Sequence, residues 1–162
     1  MPTDVTKAEL IRLIIERLNN DLELFVNAAK TAHEAAIDEE NQPDNKYDTT
    51  ALEASYVAQG QANRAQELRR SIEIYKQLEL SEKNEKIRIA SLVTLGDQSG
   101  CQRKMFIGPT EGGLKISTES GDVTIITSLS PLGKNLIGKS VDDLIDISRG
   151  AAQICYHIVN VT

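Results

Sequence analysis

The stretch IRLIIERLNNDLELFVNAAKTAHEAA, residues 11–36, decides the first half of the fold. Its apolar residues recur at spacings that alternate between four and three: Ile11, Ile15, Leu18, Leu22, Phe25, Ala29, Ala32 and Ala36. Such a heptad seam is typical of a helix that packs along another helix. A capping box, Thr6-x-x-Glu9, precedes it, so the sequence predicts a long N-terminal helix that starts near Thr6.

A second helix is predicted after a second capping box, Thr50-x-x-Glu53. Its seam is Ala51, Ser55, Ala58, Ala62 and Ala65, then, after a one-residue slip, Leu68, Ile72 and Tyr75. Small residues come first and large ones last, the reverse of the first helix. Antiparallel pairing would match side chains by size, so residues 1–80 are predicted to form an antiparallel helical hairpin, a coiled-coil arm of about 45 Å.

The pattern changes to a period of two in the second half, which indicates β-strands. Apolar residues alternate in three segments: Ile87, Ile89, Val93 and Leu95; Val123 and Ile125; Ile154, Tyr156 and Ile158. Turn sequences such as GDQSG and ESGD separate the segments, and SPLGKNLIGK contains one short helix after Pro131. The prediction is an α+β protein, with the helical hairpin at 1–80 and a small antiparallel β domain at 81–162.

Composition limits the functional classes. The chain has 162 residues and a net charge of −6, and the acidic excess lies in residues 1–80, which argues against binding naked nucleic acid. No apolar run is long enough to span a membrane and no signal peptide is apparent, so the expected location is cytoplasmic. Cys101 and Cys155 have no paired spacing, and both are expected to be reduced.

No motif of a self-contained enzyme is present. His33 and His157 lie in different halves, without a serine elbow or a cysteine-histidine arrangement. The glycines of GPTEGG, residues 108–113, lack the form of a phosphate-binding loop and indicate a hairpin turn. Three basic residues of the second helix, Arg64, Arg69 and Arg70, leave open whether they form a patch that guides RNA.

The turn between the two helices is strongly acidic. Residues 38–48 hold five carboxylates, Asp38, Glu39, Glu40, Asp44 and Asp48, and one lysine, Lys46. Like charges this close repel one another, so the arrangement costs free energy in the isolated protein. Carboxylates at the end of a thin arm are suited to share a divalent cation with a partner, because Mg²⁺ often takes one or two carboxylates and completes its ligands elsewhere.

Three segments resemble the Gre family of bacterial transcription elongation factors. They are SPLGKNLIGK, residues 130–139, and DNKYD with LEASY at the arm tip and second helix. The resemblance implies an FKBP-like β domain without isomerase activity, which docks on RNA polymerase at the rim of the secondary channel. It also implies that the arm reaches the active centre, where two acidic residues help hold the second Mg²⁺ and stimulate cleavage of backtracked RNA.

The resemblance also assigns roles to residues. Asp44, which precedes Asn45, matches the second family acid, while Asn41 stands at the position of the first. Glu40 or Glu39 is then the candidate for the first acid. Asp44 and Glu40 are the implied Mg²⁺ ligands, in the polymerase complex only, with no cofactor bound by the chain alone.

The implied docking loop is Leu129, Ser130, Pro131 and Leu132, with Leu129 at a position where the family usually has an acidic residue. The resemblance implies RNA polymerase as partner, nascent RNA only indirectly, and no membrane. The protein would be an accessory factor, not itself an enzyme, and its oligomeric state stays open. Three hypotheses follow: a cleavage-stimulating factor, a channel-binding inhibitor without cleavage stimulation, or a structural coiled-coil adaptor.

Overall fold

The computed structural model of the chain describes residues 4–40, 50–81 and 83–162. Two long helices come first, α1 (Lys7–Glu40) and α2 (Thr50–Lys76). They are followed by β1 (Leu92–Gly96), β2 (Gln102–Ile107), β3 (Lys115–Thr118), β4 (Gly121–Ile126), α3 (Pro131–Leu136), β5 (Leu144–Arg149) and β6 (Ala152–Val161). The predicted α+β class is confirmed. Among the described residues, no helix has the length and apolarity that crossing a membrane requires.

The backbone forms two compact units. The helical unit is Ile15–Glu73, and the sheet unit combines Met1–Ile14 with Ile74–Thr162. The first turns of α1 and the last turn of α2 therefore belong to the same unit as the strands. The predicted boundary between residues 80 and 81, the antiparallel pairing of the helices and the FKBP-like character of the β domain stay predictions.

Helix α1 begins as its sequence predicts. The Thr6 hydroxyl accepts a hydrogen bond from the amide of Glu9 (3.1 Å), which satisfies one of the free donors of the first turn. The Glu9 carboxylate instead pairs with Arg12 at 2.8 Å. Further along, the predicted seam is the less exposed side of the helix from Leu18 to Ala36, and both of these end residues are buried.

Helix α2 departs from its predicted seam at one position. Ala62 is exposed, and Gln61 is the half-buried residue of that turn. The buried side then continues through Ala65, Leu68 and Ile72 without the predicted one-residue slip. A half-buried position tolerates glutamine, because its side chain has apolar methylene groups as well as a polar amide.

The six strands form one sheet in the order β3-β4-β2-β1-β6-β5. The prediction of a fully antiparallel sheet is wrong at one pair, because β2 and β4 run parallel, with Phe106 opposite Ile125. The segment after β2 carries the chain past the place of β4 to the sheet edge, where β3 begins. Since β3 reverses direction and the tight turn before β4 reverses it again, β4 returns parallel to β2.

The predicted strand over residues 86–95 starts late, at Leu92. Ala90 has φ of 73°, in the left-handed region, and its buried amide donates to the carbonyl of Ile107 at 2.7 Å. A left-handed residue breaks the extended backbone, so the segment before it turns. Ile87 is nevertheless buried, whereas Ile89 is exposed.

The core of the sheet unit lies on one face of the sheet. Its buried residues are Ile87, Val93, Leu95, Met105, Ile107, Ile126, Leu136, Ile145, Tyr156, Ile158 and Val161. On the opposite face, Phe106 and Ile125 are also fully buried. Helix α3 packs against β5 and contributes Leu136 to the core, which fixes the position of the loop that precedes α3.

Candidate functional site

The predicted docking loop lies between β4 and α3. Ser130 is the N-cap of α3, and its hydroxyl accepts a hydrogen bond from the Gly133 amide at 3.0 Å. The same hydroxyl donates to the carbonyl of Thr127 at 2.9 Å, and the Ser130 amide donates to that carbonyl at 3.2 Å. Pro131 fits the first helical position because its φ is fixed and its missing amide proton is not needed there.

Gly133 is packed against the backbone of this loop. A Cβ atom at this position would overlap the carbonyl oxygen of Thr127, and it would lie 2.9 Å from the Ser130 hydroxyl oxygen. The closest obstacle is main chain, so it cannot rotate away as a side chain would. Glycine at 133 is therefore a requirement of the Thr127 to Ser130 turn.

The second half of the motif, LIGK, is tied to the start of the β half. The amide of Gly138 donates to the carbonyl of Ile87 at 2.8 Å, and the amide of Ile87 donates to the carbonyl of Lys139 at 2.8 Å. Gly138 has φ of 83°, which glycine adopts at little cost. The helix and both of its flanks are thus fixed to the sheet unit by hydrogen bonds.

The structure brings the four docking-loop residues together with different exposures. Leu129 is 80% exposed, the highest value among the large apolar side chains that the structure describes. Pro131 is exposed and Ser130 half-buried. Leu132 points inward and packs against the core. Only Leu129 and Pro131 therefore present substantial side-chain surface.

A groove of about 880 Å³ lies beside the docking loop on the core face of the sheet. Its apolar lining includes Met105, Ile126, Leu132, Ile147, Ile154 and Tyr156, and its charged lining is Arg103, Lys104, Lys115 and Asp122. No nucleophile paired with a base lines it. Among the described residues, no cluster of three or more His, Cys, Asp or Glu side chains is arranged to hold a metal ion. The groove therefore offers a mixed apolar and charged contact surface.

Tyr75, in the last turn of α2, holds that turn to the sheet unit. Its buried hydroxyl donates to the carbonyl of Thr110 at 2.6 Å, and a Cβ atom at Gly108 would overlap the hydroxyl oxygen. Burial raises the pKa of Tyr75 above its ordinary value and the nearby Glu111 adds to this, while the hydrogen bond to Thr110 opposes it. The phenol is therefore held in its neutral, donating form.

Tyr75→Phe is expected to lower the free energy of unfolding by about 1–2 kcal/mol, because a buried hydrogen bond is lost and the Thr110 carbonyl loses a donor. Urea unfolding at neutral pH measures the change. The matched control is Tyr56→Phe, since the side chain of Tyr56 is 69% exposed. Equal stability of the two variants would contradict a stabilising role for the Tyr75 hydroxyl.

The same hydrogen bond predicts a pH dependence. A tyrosine whose folded-state pKa is raised stabilises the fold fully below its unfolded pKa, about 10, and the stabilisation is lost as pH rises above that value. The wild-type chain should therefore lose stability above about pH 10 more steeply than Tyr75→Phe does. Parallel pH profiles of the two proteins would contradict this.

The predicted acidic tip is partly described. Glu39 and Glu40 lie in the final turn of α1, whereas Asp44 and Asn41 lie outside the described residues. The last turn of α1 contains no basic residue. The predicted pairing of Asp44 with Glu40 or Glu39 therefore stays a prediction.

The three arginines of α2 do not form one patch. At about 100° per residue, Arg64, Arg69 and Arg70 project in directions roughly 100° to 140° apart around the helix. Arg64 pairs with Glu67 at 3.2 Å, while Arg69 and Arg70 are exposed. The helix therefore does not concentrate their charge on one RNA-facing side.

Sequence reasoning missed the supporting residues Tyr75 and Gly133. The seam pattern indicates Tyr75 only as a packing residue, although a buried aromatic hydroxyl usually needs a hydrogen-bond partner. The sequence did contain a signal for the position of Gly133. It is the third helical residue after the Ser130 cap, where the backbone amide donates to the cap hydroxyl.

The sequence and fold of the chain are similar to those of known proteins. A family model described as "Transcription elongation factor, GreA/GreB, C-term" matches residues 82–162, which include the docking loop. A search of curated proteins found no match.

Several solved structures are similar over most of the chain. A structure of the transcription factor Gfh1 is 24% identical and has a TM-score of 0.41, with 91% of this chain and 92% of that chain covered. Gfh1 of Thermus thermophilus is 24% identical, with a TM-score of 0.36 and coverage of 91% and 94%. GreA/GreB from Nitrosomonas europaea is 19% identical, with a TM-score of 0.38 and coverage of 72% and 95%.

Because all three TM-scores are below 0.5, the assignment rests on the family match to the second half of the chain. The matched half includes Ser130, which caps α3, Gly133, which packs against Thr127, and Gly138, which has a positive φ. The family match therefore includes the loop before α3. The chain belongs to the GreA/GreB family of transcription elongation factors.

Proposed function

We propose that the chain acts on RNA polymerase as a Gre-type factor, entering the secondary channel and stimulating cleavage of backtracked RNA. The observation that carries the proposal is the family match over residues 82–162, which contains the hydrogen-bonded docking loop. In this proposal the sheet unit docks on the polymerase, and the helical unit carries the acids at the end of α1 toward the active centre.

The chemistry of the tip fits a shared divalent cation. Carboxylate oxygens are the ligands that Mg²⁺ prefers, and one or two from a protein suffice when the rest come from elsewhere. Asp44 and one of Glu40 or Glu39 would supply these ligands. Bound in the polymerase, Mg²⁺ supplies charge stabilisation for phosphodiester hydrolysis.

The chain's own part in the reaction is limited to positioning charge. Its acids would hold the ion in place, and the hydrolytic reaction belongs to the polymerase. The protein is thus an accessory factor in this proposal and not a nuclease. The repulsion among the tip acids, a cost in the free protein, would be relieved when a cation binds between them.

A second candidate function is channel occupancy without cleavage stimulation. Asn41 favours it, because a neutral amide stands where the resemblance places the first acid, and Pro43 follows two residues later. An amide oxygen carries no full negative charge and holds a divalent cation less strongly than a carboxylate does. In this alternative the arm slows nucleotide addition by occupying the channel.

Incubation with a backtracked elongation complex and Mg²⁺ tests the proposal. The wild-type chain should shorten the RNA, and Asp44→Asn should lower the cleavage rate at least about tenfold by removing one ligand charge. Asp48→Asn is the matched control, since it removes the same charge four residues later in the sequence. Glu39→Gln and Glu40→Gln identify which of the two acts with Asp44.

Three results would change the conclusion. RNA that stays intact while nucleotide addition slows would support the channel-occupying alternative. Equal loss in Asp44→Asn and Asp48→Asn would mean that total tip charge matters more than a ligand at one position. No binding to polymerase would contradict both functions.

A further inference from the structure

We propose that Tyr75 is a positioning residue for the loop before α3, and that residues 108–113, the linking segment, transmit its effect to that loop. The inference rests on the proposed function, in which RNA polymerase engages the loop. It follows from an uninterrupted series of hydrogen bonds and close contacts between Tyr75 and Ser130. All of these residues belong to one compact unit, the sheet unit.

The first contact joins Tyr75 to the middle of the linking segment. The Tyr75 hydroxyl donates to the carbonyl of Thr110 at 2.6 Å, and Gly108 leaves no room for a Cβ atom beside that hydroxyl. Tyr75 is only 1% exposed, so its side chain offers no surface to a partner. An effect of Tyr75 on partner binding therefore has to pass through the residues around it.

Both ends of the linking segment are fixed to β4. The amide of Gly108 donates to the carbonyl of Ile126 at 2.8 Å, and the amide of Gly113 donates to the carbonyl of Ile125 at 2.7 Å. Between these two bonds, Glu111 has φ of 63°, in the left-handed region that few residues other than glycine adopt. The segment is thus a closed turn, held to the two residues that precede Thr127.

The last contacts join the linking segment to the loop before α3. A Cβ atom added at Gly112 would lie 3.2 Å from the Cγ2 atom of Thr127, so the segment packs directly on this side chain. The carbonyl of the same threonine accepts hydrogen bonds from the amide and the hydroxyl of Ser130. Packed side chains and hydrogen-bonded turns in series carry energetic coupling, so a looser segment should also loosen the Thr127 to Ser130 turn.

Coupling of this kind acts in both directions. If the Tyr75 hydrogen bond favours the loop conformation that a partner binds, the bound partner favours that hydrogen bond by the same factor. The bond lies where α2 passes from the helical unit to the sheet unit. A polymerase bound at the loop would therefore also hold the last turn of α2, the helix that follows the acidic tip.

A double-mutant cycle in urea unfolding tests the coupling within the chain. Independent substitutions multiply their effects on the unfolding equilibrium constant, whereas coupled ones do not. Tyr75→Phe combined with Ser130→Ala should retain more stability than the product of the single effects predicts, by a factor of about three or more. The reason is that Ser130→Ala has less to lose once the turn is already loosened.

Ile158→Val provides the matched control for the cycle. Ile158 is fully buried in β6, whose neighbours in the sheet are β1 and β5, so it lies away from the linking segment. Loss of one buried methyl group lowers stability, as Tyr75→Phe does. Combined with Ser130→Ala, it should give the product of the single effects within about twofold.

Equilibrium binding of the full chain to RNA polymerase tests the positioning role, at a temperature where every variant is folded. Tyr75→Phe should raise the Kd about threefold or more, because the loop that the partner engages is less well held. Ile158→Val should leave the Kd within about twofold of the wild-type value. A purely structural Tyr75 would lower stability and leave the Kd unchanged.

The outcomes separate this inference from the proposed function. Multiplicative effects in the cycle of Tyr75 and Ser130, or an unchanged Kd in Tyr75→Phe, would overturn the inference while the proposed function stands. A wild-type chain that does not bind polymerase would contradict the proposed function and the positioning role together, whereas the unfolding cycle would still decide the coupling within the chain.

Discussion

Gly133→Ala is expected to lower the free energy of unfolding of the sheet unit by about 2–3 kcal/mol. Two effects oppose each other at this position. Alanine is favoured over glycine within a helix by about 0.5–1 kcal/mol, so helix propensity alone predicts a more stable protein. The new methyl group, however, would overlap the carbonyl oxygen of Thr127, and relief requires the backbone of the turn to move.

The clash should exceed the propensity term, because moving main chain also breaks the Ser130 bonds to Thr127 and Gly133. Urea unfolding gives the change in stability. Gly60→Ala is the matched control: Gly60 lies inside α2, and nothing is within 4 Å of the new Cβ atom. It should stabilise the protein by about 0.5–1 kcal/mol. Stabilisation of the same size by both variants would contradict the tight packing at 133.

Ala36→Glu is expected to destabilise the helical unit by about 3 kcal/mol or more. Ala36 is 3% exposed, and a carboxylate there must either lose its hydration or force the packed side of the helix apart. Loss of helical signal in far-UV circular dichroism, at a lower temperature than for the wild type, measures the effect. Under the proposed function, stimulation of RNA cleavage should disappear in this variant, while binding to polymerase through the sheet unit persists.

The neighbouring residue provides the control. Ala35→Glu adds the same charge one position earlier, on an exposed part of the helix, and should change stability by less than about 0.5 kcal/mol. The comparison separates burial from the added negative charge, which both variants share. Equal melting temperatures for the two variants would show that the side of α1 at Ala36 is not tightly packed.

The helices could be predicted in detail because their pattern is local and long. The seam from Leu18 to Ala36 needs only the spacing of apolar residues within one helix. The first turns differ, since Leu10 and Ile14 are fully buried whereas Ile11 and Ile15 are half-buried. Leu10 and Ile14 belong to the sheet unit, so residues distant in sequence determine which side of these turns is covered.

The sheet was harder to predict, because the path of the loops between strands determines which strands pair and in which direction. Alternation located Val123 and Ile125 correctly but could not reveal that β4 pairs parallel with β2. Strand β1 starts late because Ala90 has a left-handed backbone conformation. Few alanines adopt this conformation, and the local sequence does not predict it.

The docking loop stays a prediction as a binding site, and the arrangement of its four residues could not be predicted from the motif. The motif indicated Leu129 through Leu132 as a group. The division into an exposed Leu129, a capping Ser130 and an inward Leu132 depends on hydrogen bonds and packing to Thr127 and the core. The acidic residues Glu39, Glu40 and Asp44 stay a prediction, as does the Mg²⁺ that they would share.

The place of β6 in the sheet has a consequence for biosynthesis. This strand lies between β1 and β5, and residues 4–14 belong to the same compact unit. During translation, β1 has to wait for one of its two neighbours until residues 152–161 leave the ribosome, whereas residues 15–73 emerge long before. The helical segments thus emerge before the sheet unit is complete, so pairing of β1 with β6 is a late, non-local step of folding.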